Sequence, residues 1–264
     1  MNTAWFIGKR YWVVAATQGI GWQTAKDLLN LGADVTISGR DPERLKEAHE
    51  ALTEPGHVGH LSTCVVDLTD DTAVRYAAQS VISNMDGLDG VVVSSGGPVA
   101  GGLFDLSDTD WMQSIDGKLL GHIRVTRAIL PYFMGKRSGR IVHLSGTHGL
   151  QPQHYALTAG VVNAGIINFV KAVAAFAARN NVLINVVNPG PVSTERMQYL
   201  AISKATRENR GIPETLTLLS REVALERFAE THEVTSLIVY LLSEGASFCS
   251  GGSYNVDGGQ LHGI

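Results

Sequence analysis

Residues 13–21 read Val-Val-Ala-Ala-Thr-Gln-Gly-Ile-Gly, a short apolar run that ends in a glycine-containing turn. The run predicts a strand, and a helical pattern follows the turn at once. Gly19 and Gly21 would let the backbone turn tightly and bring its N–H groups, with the helix N-terminus, against a pyrophosphate. Because such turns also occur for packing alone, the motif indicates a dinucleotide site only at the start of an alternating strand–helix chain.

The rest of the chain shows this alternation. Apolar runs predict strands at Val13–Ala16, Val35–Ser38, Cys64–Val66, Val91–Ser94, Ile141–Leu144 and Leu183–Val187. Helical patterns cover Gly21–Leu31, Pro42–Leu52, Asp71–Asn84, Asp108–Met134 and Val161–Arg179. Strands that are apolar on both faces, separated by helices, predict an α/β fold. We expect one doubly wound parallel sheet with helices on both faces, in a single domain spanning residues 1–264.

One segment, Ser193 to Glu230, interrupts the alternation. It is charged and helical in pattern, and it has no strand of its own. Two interpretations stay open: a mobile flap that covers substrate, or an ordinary surface excursion.

Composition narrows the class of protein. Hydrophobic residues make up 44% of the 264 residues and the net charge is −4, with no basic run. We therefore expect a large core and neither nucleic acid nor a membrane as partner. The apolar stretch Val161 to Ala178 contains polar residues and predicts a buried helix. The only two cysteines give no disulfide framework and the N-terminus has no signal-peptide pattern, so we expect a cytoplasmic protein. The sequence lacks the residue spacings that are typical of metal sites, so we expect no bound metal.

Several later motifs resemble the short-chain dehydrogenase/reductase family, whose members have a Rossmann-type fold. The motifs occur along the chain in the same order as in that family. They are Gly19 with Gly21, Asp67-Leu68, Ser94-Ser95-Gly96-Gly97, Asn188-Pro189-Gly190 with Val192 and Thr194, Ser250-Gly251-Gly252 and Val256-Asp257-Gly258-Gly259. The resemblance covers nearly the whole chain. One departure is Ala15, which stands where the family has the first glycine of its turn.

The resemblance implies a nicotinamide dinucleotide as cofactor. The cofactor contacts it predicts, together with those of the glycine turn, are Ala15, Thr17, Gln18, Gly19, Ile20, Gly21, Arg40, Asp67, Leu68, Ser94, Gly96, Asn163, Pro189, Gly190, Val192 and Thr194.

The end of the second strand favours NADP(H) over NAD(H). An acidic side chain there would bind both ribose hydroxyls of NAD, but this chain has Gly39. Arg40 follows, and a guanidinium pairs well with a 2′-phosphate. The alternative is that Arg40 is only a solvated residue before Asp41, which is placed to cap the next helix. Gln18 is uncharged, so phosphate affinity is expected to depend on Arg40 alone.

The family resemblance also implies an asparagine, a serine, a tyrosine and a lysine for catalysis. An ungapped register anchored on Asn188-Pro189-Gly190 and Gly121 puts Lys118, Gly146, Ala159 and Asn163 at these positions, so none of the four expected residues is present. Gly146 and Ala159 are thirteen residues apart, which is the family's usual spacing of the serine and the tyrosine. Asn163 can still bond a ribose hydroxyl but supplies no positive charge.

Replacement catalytic residues are therefore sought nearby, and the candidates are Tyr155, His148, Ser145 and Lys118. Tyr155 precedes the usual tyrosine position by about one helical turn, so its hydroxyl is expected to point into the same pocket, with a pKa near 10. His148 suits acid–base work, and Lys118 could act electrostatically. Each also has a plain structural interpretation, as a loop, core or helix residue with satisfied hydrogen bonds.

Three functions remain open at this stage. The first is an NADP(H)-dependent oxidoreductase acting on a small, partly apolar carbonyl, alcohol or imine with a non-standard proton donor. The second is a cofactor-binding protein without catalysis, a sensor or an assembly partner. The third is a non-redox lyase or isomerase on the same fold. The resemblance also implies a homo-oligomer, a tetramer or a dimer, formed through the fifth and sixth helices.

Overall fold

A computed structural model describes residues 3–53 and 57–263. Within these residues seven strands form one parallel sheet in the order β3-β2-β1-β4-β5-β6-β7. The strands are β1 Arg10–Val14, β2 Asp34–Gly39, β3 Leu61–Val65, β4 Gly90–Val93, β5 Gly139–Leu144, β6 Val182–Pro189 and β7 Ser253–Val256. The helices are α1 Gly19–Asn30, α2 Pro42–Leu52, α3 Asp71–Asn84, α4 Asp108–Ser114, α5 Gly121–Lys136, α6 Leu157–Ala178, α7 Glu195–Glu208, α8 Ile212–Arg221 and α9 Thr231–Leu242.

Helices cover both faces of the sheet, as a doubly wound fold requires. Alternate residues of β1 point to opposite sides: Tyr11 and Val13 pack with one core cluster, Trp12 and Val14 with the other. The first cluster includes α1 and α9, and the second includes α3, α5 and α6. The doubly wound α/β fold predicted from the alternation is therefore confirmed.

Two parts of the sequence-based prediction need correction. The strand predicted at Cys64–Val66 was expected to be covered by helices on both faces. It belongs instead to β3, an edge strand of the sheet, where Val65 is 54% exposed. The helix predicted over Asp108–Met134 is not continuous, because a π-helical turn, Ile115–Leu120, separates α4 from α5. Such turns often mark functional sites, and this one carries Lys118.

Two further segments singled out in the sequence are the long apolar helix α6 and residues 193–230. Helix α6 is long and apolar enough to cross a membrane by length and composition alone. It packs on the sheet through Ile166 and Val170, both fully buried, as a core helix does. The segment 193–230 holds α7 and α8, and it adds a single parallel bridge between Val192 and Ala229.

Candidate active site

A cavity of about 990 Å³ lies at the carboxyl ends of the central strands, where doubly wound folds bind ligands. It is lined by the turn after β1, by the segments that follow β4, β5 and β6, and by the first turns of α7. The predicted cofactor residues that line it are Ala15, Thr17, Gln18, Gly19, Ile20, Arg40, Asp67, Leu68, Ser94, Gly96, Asn163, Pro189, Gly190, Val192 and Thr194. Gly21 is the one predicted cofactor residue outside this lining.

The structure explains the glycine turn. Gly19 has a φ of +60° and opens α1, whose N-cap, Gln18, makes no side-chain hydrogen bond to the first turn. Gly21 serves packing, because a Cβ there would lie 2.8 Å from the carbonyl oxygen of Ala15. Ala15 itself has a φ of +56°, which an alanine adopts only at a cost of about 1 kcal/mol or more. The backbone thus keeps the glycine-type turn although the first glycine is missing.

The end of β2 has the geometry expected for a 2′-phosphate. A Cβ on Gly39 would come within 2.6 Å of the Thr17 methyl carbon, so an acidic side chain does not fit there while Thr17 stays in place. Arg40 lines the cavity beside it, and so does Arg44 on the first turn of α2. Asp41 accepts hydrogen bonds from the backbone N–H groups of Glu43 and Arg44, as predicted for a cap.

Arg44 was missed in the sequence. It lies four residues after Arg40, and the helix that Asp41 caps turns it back toward the cavity. Phosphate affinity therefore need not depend on Arg40 alone.

The opposite wall brings β6 against the glycine turn. A Cβ on Gly19 would lie 3.6 Å from the methyl carbon of Thr194, which also caps α7. A Cβ on Gly190 would lie 2.9 Å from Cα of Asp257, so only glycine fits at this point of the wall. The motifs that follow β1 and β6 thus form two sides of one groove. The residues present fit a dinucleotide: an uncapped helix N-terminus, two arginines and close backbone approaches.

The four residues that the ungapped register predicts at the family's catalytic positions all line the same end of the cavity: Lys118, Gly146, Ala159 and Asn163. Lys118 is 8% exposed, and its Nζ donates a hydrogen bond to the carbonyl oxygen of Ser145 at 3.2 Å. Burial, and then the nearby charge of Arg196, lowers the pKa of Lys118 to about 7. A buried amine in this state can release or accept a proton near neutral pH.

Ser145 and Asn163 are joined to each other. The Ser145 hydroxyl donates to the backbone carbonyl of Asn163 at 3.0 Å, which leaves the serine oxygen as an acceptor toward the cavity. The Oδ1 atom of Asn163 is buried and has no hydrogen-bond partner in the described part of the chain. Asn163 thus keeps an acceptor that a ligand hydroxyl could use.

His148 and Tyr155 lie differently from each other. His148 lines the cavity, and burial lowers its pKa. Tyr155 stands behind it, with ring centroids 6.2 Å apart, and lies outside the cavity lining. Its hydroxyl is 3.5 Å from the carboxylate of Glu222, at the end of α8.

Two expectations for Tyr155 are therefore corrected. Its hydroxyl points to the 193–230 segment and not into the pocket, because Glu222 accepts from it there. Its pKa does not stay near 10, because burial and the charge of Glu222 raise it to about 12. Among the described residues, the sequence candidates that remain at the cavity wall are Lys118, His148 and Ser145.

A buried histidine pair extends from the cavity wall into the core. Ser95 lies 2.9 Å from Nε2 of His122, and Nδ1 of His122 lies 2.8 Å from Nδ1 of His143. This series of hydrogen bonds ends at the hydroxyl of Thr126, which lies 3.2 Å from Nε2 of His143. Both histidines are fully buried, and burial lowers the pKa of each. His122 was missed because it sits in a helical pattern 21 residues before His143.

Comparison with known proteins agrees with this geometry. The family model described as enoyl-(acyl carrier protein) reductase matches residues 14–260. The 3-oxoacyl-(acyl-carrier-protein) reductase FabG of Aquifex aeolicus is 30% identical over 96% of this chain and 98% of its own. Oxidoreductase UcpA of Escherichia coli K12 is 31% identical over 96% and 94%.

Solved structures agree as well. An actinorhodin polyketide ketoreductase with NADPH superposes with a TM-score of 0.91, at 25% identity over 96% of this chain and 97% of that one. An L-sorbose reductase of Gluconobacter frateurii, complexed with NADPH and L-sorbose, gives 0.90 at 25% identity over 98% of both chains. The match to the family model extends over nearly the whole chain and includes every segment of the cavity wall named above, and the chain therefore belongs to the short-chain dehydrogenase/reductase family.

Proposed function

We propose that this chain is an NADP(H)-dependent oxidoreductase whose proton donor and acceptor is Lys118. The single observation that carries the proposal is the buried Lys118 amine at the end of the cavity opposite Arg40 and Arg44, with a pKa of about 7. The family relationship supports hydride chemistry, and the structural relatives named above were solved with NADPH.

The charge at the end of β2 supports NADP(H) over NAD(H). Arg40 and Arg44 offer two guanidinium groups to a 2′-phosphate. The methyl group of Thr17 fills the space beside Gly39, so a carboxylate that would bind a free ribose diol does not fit there. The cofactor supplies or accepts the hydride when bound. The side chains of the protein bind and orient the cofactor and the substrate and transfer the proton.

Reduction of a carbonyl adds a hydride at carbon and a proton at oxygen. The Lys118 ammonium, held by the Ser145 carbonyl, would donate that proton and recover one from solvent through the open cavity. His148 is the second titratable candidate at the wall, while Ser145 and Asn163 supply acceptors that orient ligand hydroxyls. In the oxidation direction, neutral Lys118 would take the proton.

The test has two stages. NADPH and NADH are first titrated into the protein with tryptophan fluorescence as the readout. We expect NADPH to bind at least tenfold more tightly than NADH, and we expect the double variant Arg40→Gln with Arg44→Gln to lose this difference.

Turnover is then measured with a panel of small ketones, oxo acids and imines. We expect Lys118→Met to lower kcat at least a hundredfold, Lys118→Arg to restore little, and His148→Ala and Tyr155→Phe to have smaller effects. Absence of NADPH binding would refute the proposal.

A second candidate function is cofactor binding without catalysis. The observation that favours it is the absence of a titratable side chain at Gly146, Ala159 and Asn163. Tight NADPH binding with no turnover on the whole panel, in wild type and Lys118→Met alike, would establish it. Turnover that depends on Lys118 would exclude it.

We further propose a homo-oligomer, a tetramer or a dimer, that pairs through α5 and α6. The outer face of α6 supports this with two large apolar side chains, Val161 and Phe176, exposed by 51% and 54%. A second copy would cover this face. Sedimentation of wild type and of Phe176→Asp tests it, since the charged variant should dissociate.

A further inference from the structure

One cation in the cavity has no function in the mechanism above. Arg196 lies on the first turn of α7, and its guanidinium donates to the carbonyl oxygen of Pro98. It lies directly over Gly97, where a Cβ would come within 2.3 Å of Nε. The missing side chain at Gly97 therefore makes the room that Arg196 occupies. The ring of Tyr199, 5.0 Å from the guanidinium carbon, holds its other side.

The charge of Arg196 is unmatched in the protein. Within the part of the chain that the structure describes, no ion pair of 4.0 Å or less joins Arg196 or Lys118 to a carboxylate. The carboxylates that line the cavity are Asp41, Asp67 and Glu195.

None of these three carboxylates is placed to neutralise Arg196. Asp41 caps α2, and Asp67 bonds Thr69 at the opposite end of the cavity. Glu195 is the first residue of α7 and is exposed. Arg196 is partly buried, which lowers its pKa, and the two cations are close enough for Arg196 to lower the pKa of Lys118. Two like charges that are partly desolvated side by side are unfavourable unless a ligand brings negative charge.

We propose that the substrate carries an anionic group, a carboxylate or a phosphate, that binds Arg196 while its reactive oxygen faces Lys118. This inference rests on the proposed function and narrows it to one substrate class. A guanidinium matches a carboxylate or a phosphate with two parallel hydrogen bonds. Val99, Met197 and Leu200 line the cavity nearby and fit a short apolar body between the two polar ends. The substrate class is therefore a small oxo acid or an oxo phosphate ester.

The experiment uses matched probes that cannot react, so that binding is measured apart from turnover. Benzoate, phenyl phosphate and benzamide are titrated against the NADPH-loaded protein and against the protein alone, with protein fluorescence and thermal unfolding as readouts. We expect at least one anion to bind at least tenfold more tightly than benzamide. Preference between benzoate and phenyl phosphate distinguishes a carboxylate substrate from a phosphate ester.

The variants assign the effect to one side chain. Arg196→Gln should weaken the preferred anion at least about tenfold and leave NADPH affinity unchanged, while Arg196→Lys should retain part of the binding. Arg221→Gln is the matched control, because Arg221 is an exposed arginine of α8, in the same segment, outside the cavity lining. It should behave as wild type.

Three outcomes would overturn the inference. They are equal binding of the anions and benzamide to wild type, anion binding unaffected by Arg196→Gln, and loss of NADPH affinity in Arg196→Gln, which would make the cofactor the anion bound. The wild-type comparison decides the matter even where Arg196→Gln fails to fold. If the protein alone binds an anion through Arg196 but no NADPH, the anion site stands and the proposed function fails.

Discussion

Gly146 and Asn163 fit together only because one of them has no side chain. A Cβ on Gly146 would lie 2.8 Å from Nδ2 of Asn163, which is closer than side-chain carbons approach any neighbour. Gly146 stands where the family resemblance expects serine, and Asn163 where it expects lysine. The two residues are therefore in contact, and a side chain at position 146 must displace the amide of Asn163.

The first prediction follows from this contact. Gly146→Ser should lower the free energy of unfolding by about 1–3 kcal/mol, because the new side chain must displace the Asn163 amide. The same change in an Asn163→Ala background should cost less, although the strain of a serine at the φ of +156° of Gly146 remains. Denaturant unfolding of the four proteins gives the coupling energy.

Gly135→Ser is the control for that cycle. Gly135 lies in α5, and nothing stands within 4 Å of a Cβ there. Its variant should stay within about 0.5 kcal/mol of wild type. A Gly146→Ser protein as stable as this control would contradict the proposed clash.

A second prediction concerns cofactor preference. Gly39→Asp alone should weaken NADPH binding at least about a hundredfold and gain no affinity for NADH, because Thr17 fills the space that the carboxylate needs. Gly39→Asp with Thr17→Ala should bind NADH more tightly than wild type does. Fluorescence titration of both cofactors measures this. NADH binding by the single variant equal to that of the double would show that Thr17 is no obstacle.

The sequence predicted much of this cavity, including Arg40 and Lys118, but missed two of its cations, Arg44 and Arg196. The wall residues follow strand ends, and parallel strands that run in register must bring their carboxyl ends to one edge, so Ala15, Ser94, Ser145 and Pro189 could be placed together from order alone. Arg196 could not, because its approach to Pro98 depends on how the 193–230 segment folds back.

The direction of Tyr155 could not be predicted either. Its partner Glu222 lies 67 residues away in the chain, and no local pattern links the two. Nor does periodicity signal the π-helical turn that brings Lys118 to the Ser145 carbonyl, because the apolar pattern of Asp108–Met134 runs through it.

A third prediction is the pH dependence that Lys118 imposes. Burial lowers its pKa from 10.5 to about 7, so between these values the unfolded chain holds a proton that the folded protein does not. Stability from this group is thus complete only above pH 10.5 and is lost as pH falls toward 7. Lys118→Met should be more stable than wild type at pH 7, by at most about 5 kcal/mol, and the difference should shrink toward pH 9.5.

Urea unfolding at several pH values measures this difference. Lys171→Met is the control, because Lys171 lies on the exposed side of α6, away from the cavity. Its stability difference from wild type should not vary with pH in this way. A Lys118→Met difference that is constant from pH 7 to 9.5 would mean that Lys118 stays charged throughout.

The last prediction concerns acid stability and the His122–His143 pair. Burial lowers the pKa of His143 to about 3, and that of His122 falls well below 6.5. Below pH 6.5 the unfolded chain binds two protons that the folded pair refuses, so stability is complete above pH 6.5 and is lost as pH falls. Each histidine contributes a slope of about 1.4 kcal/mol per pH unit in the region between its two pKa values.

His143→Asn should remove one of these two contributions and roughly halve the slope between pH 6 and 4.5, even though the variant is less stable at pH 7 because Nδ1 of His122 loses its partner. His60→Asn is the control, since His60 is exposed in the folded protein as in the unfolded chain, and its slope should match wild type. The slope is the informative quantity, because a variant that only weakens packing shifts the whole curve without changing its gradient. An unchanged slope in His143→Asn would show that the pair takes up a proton in the folded state and shares it across the 2.8 Å contact.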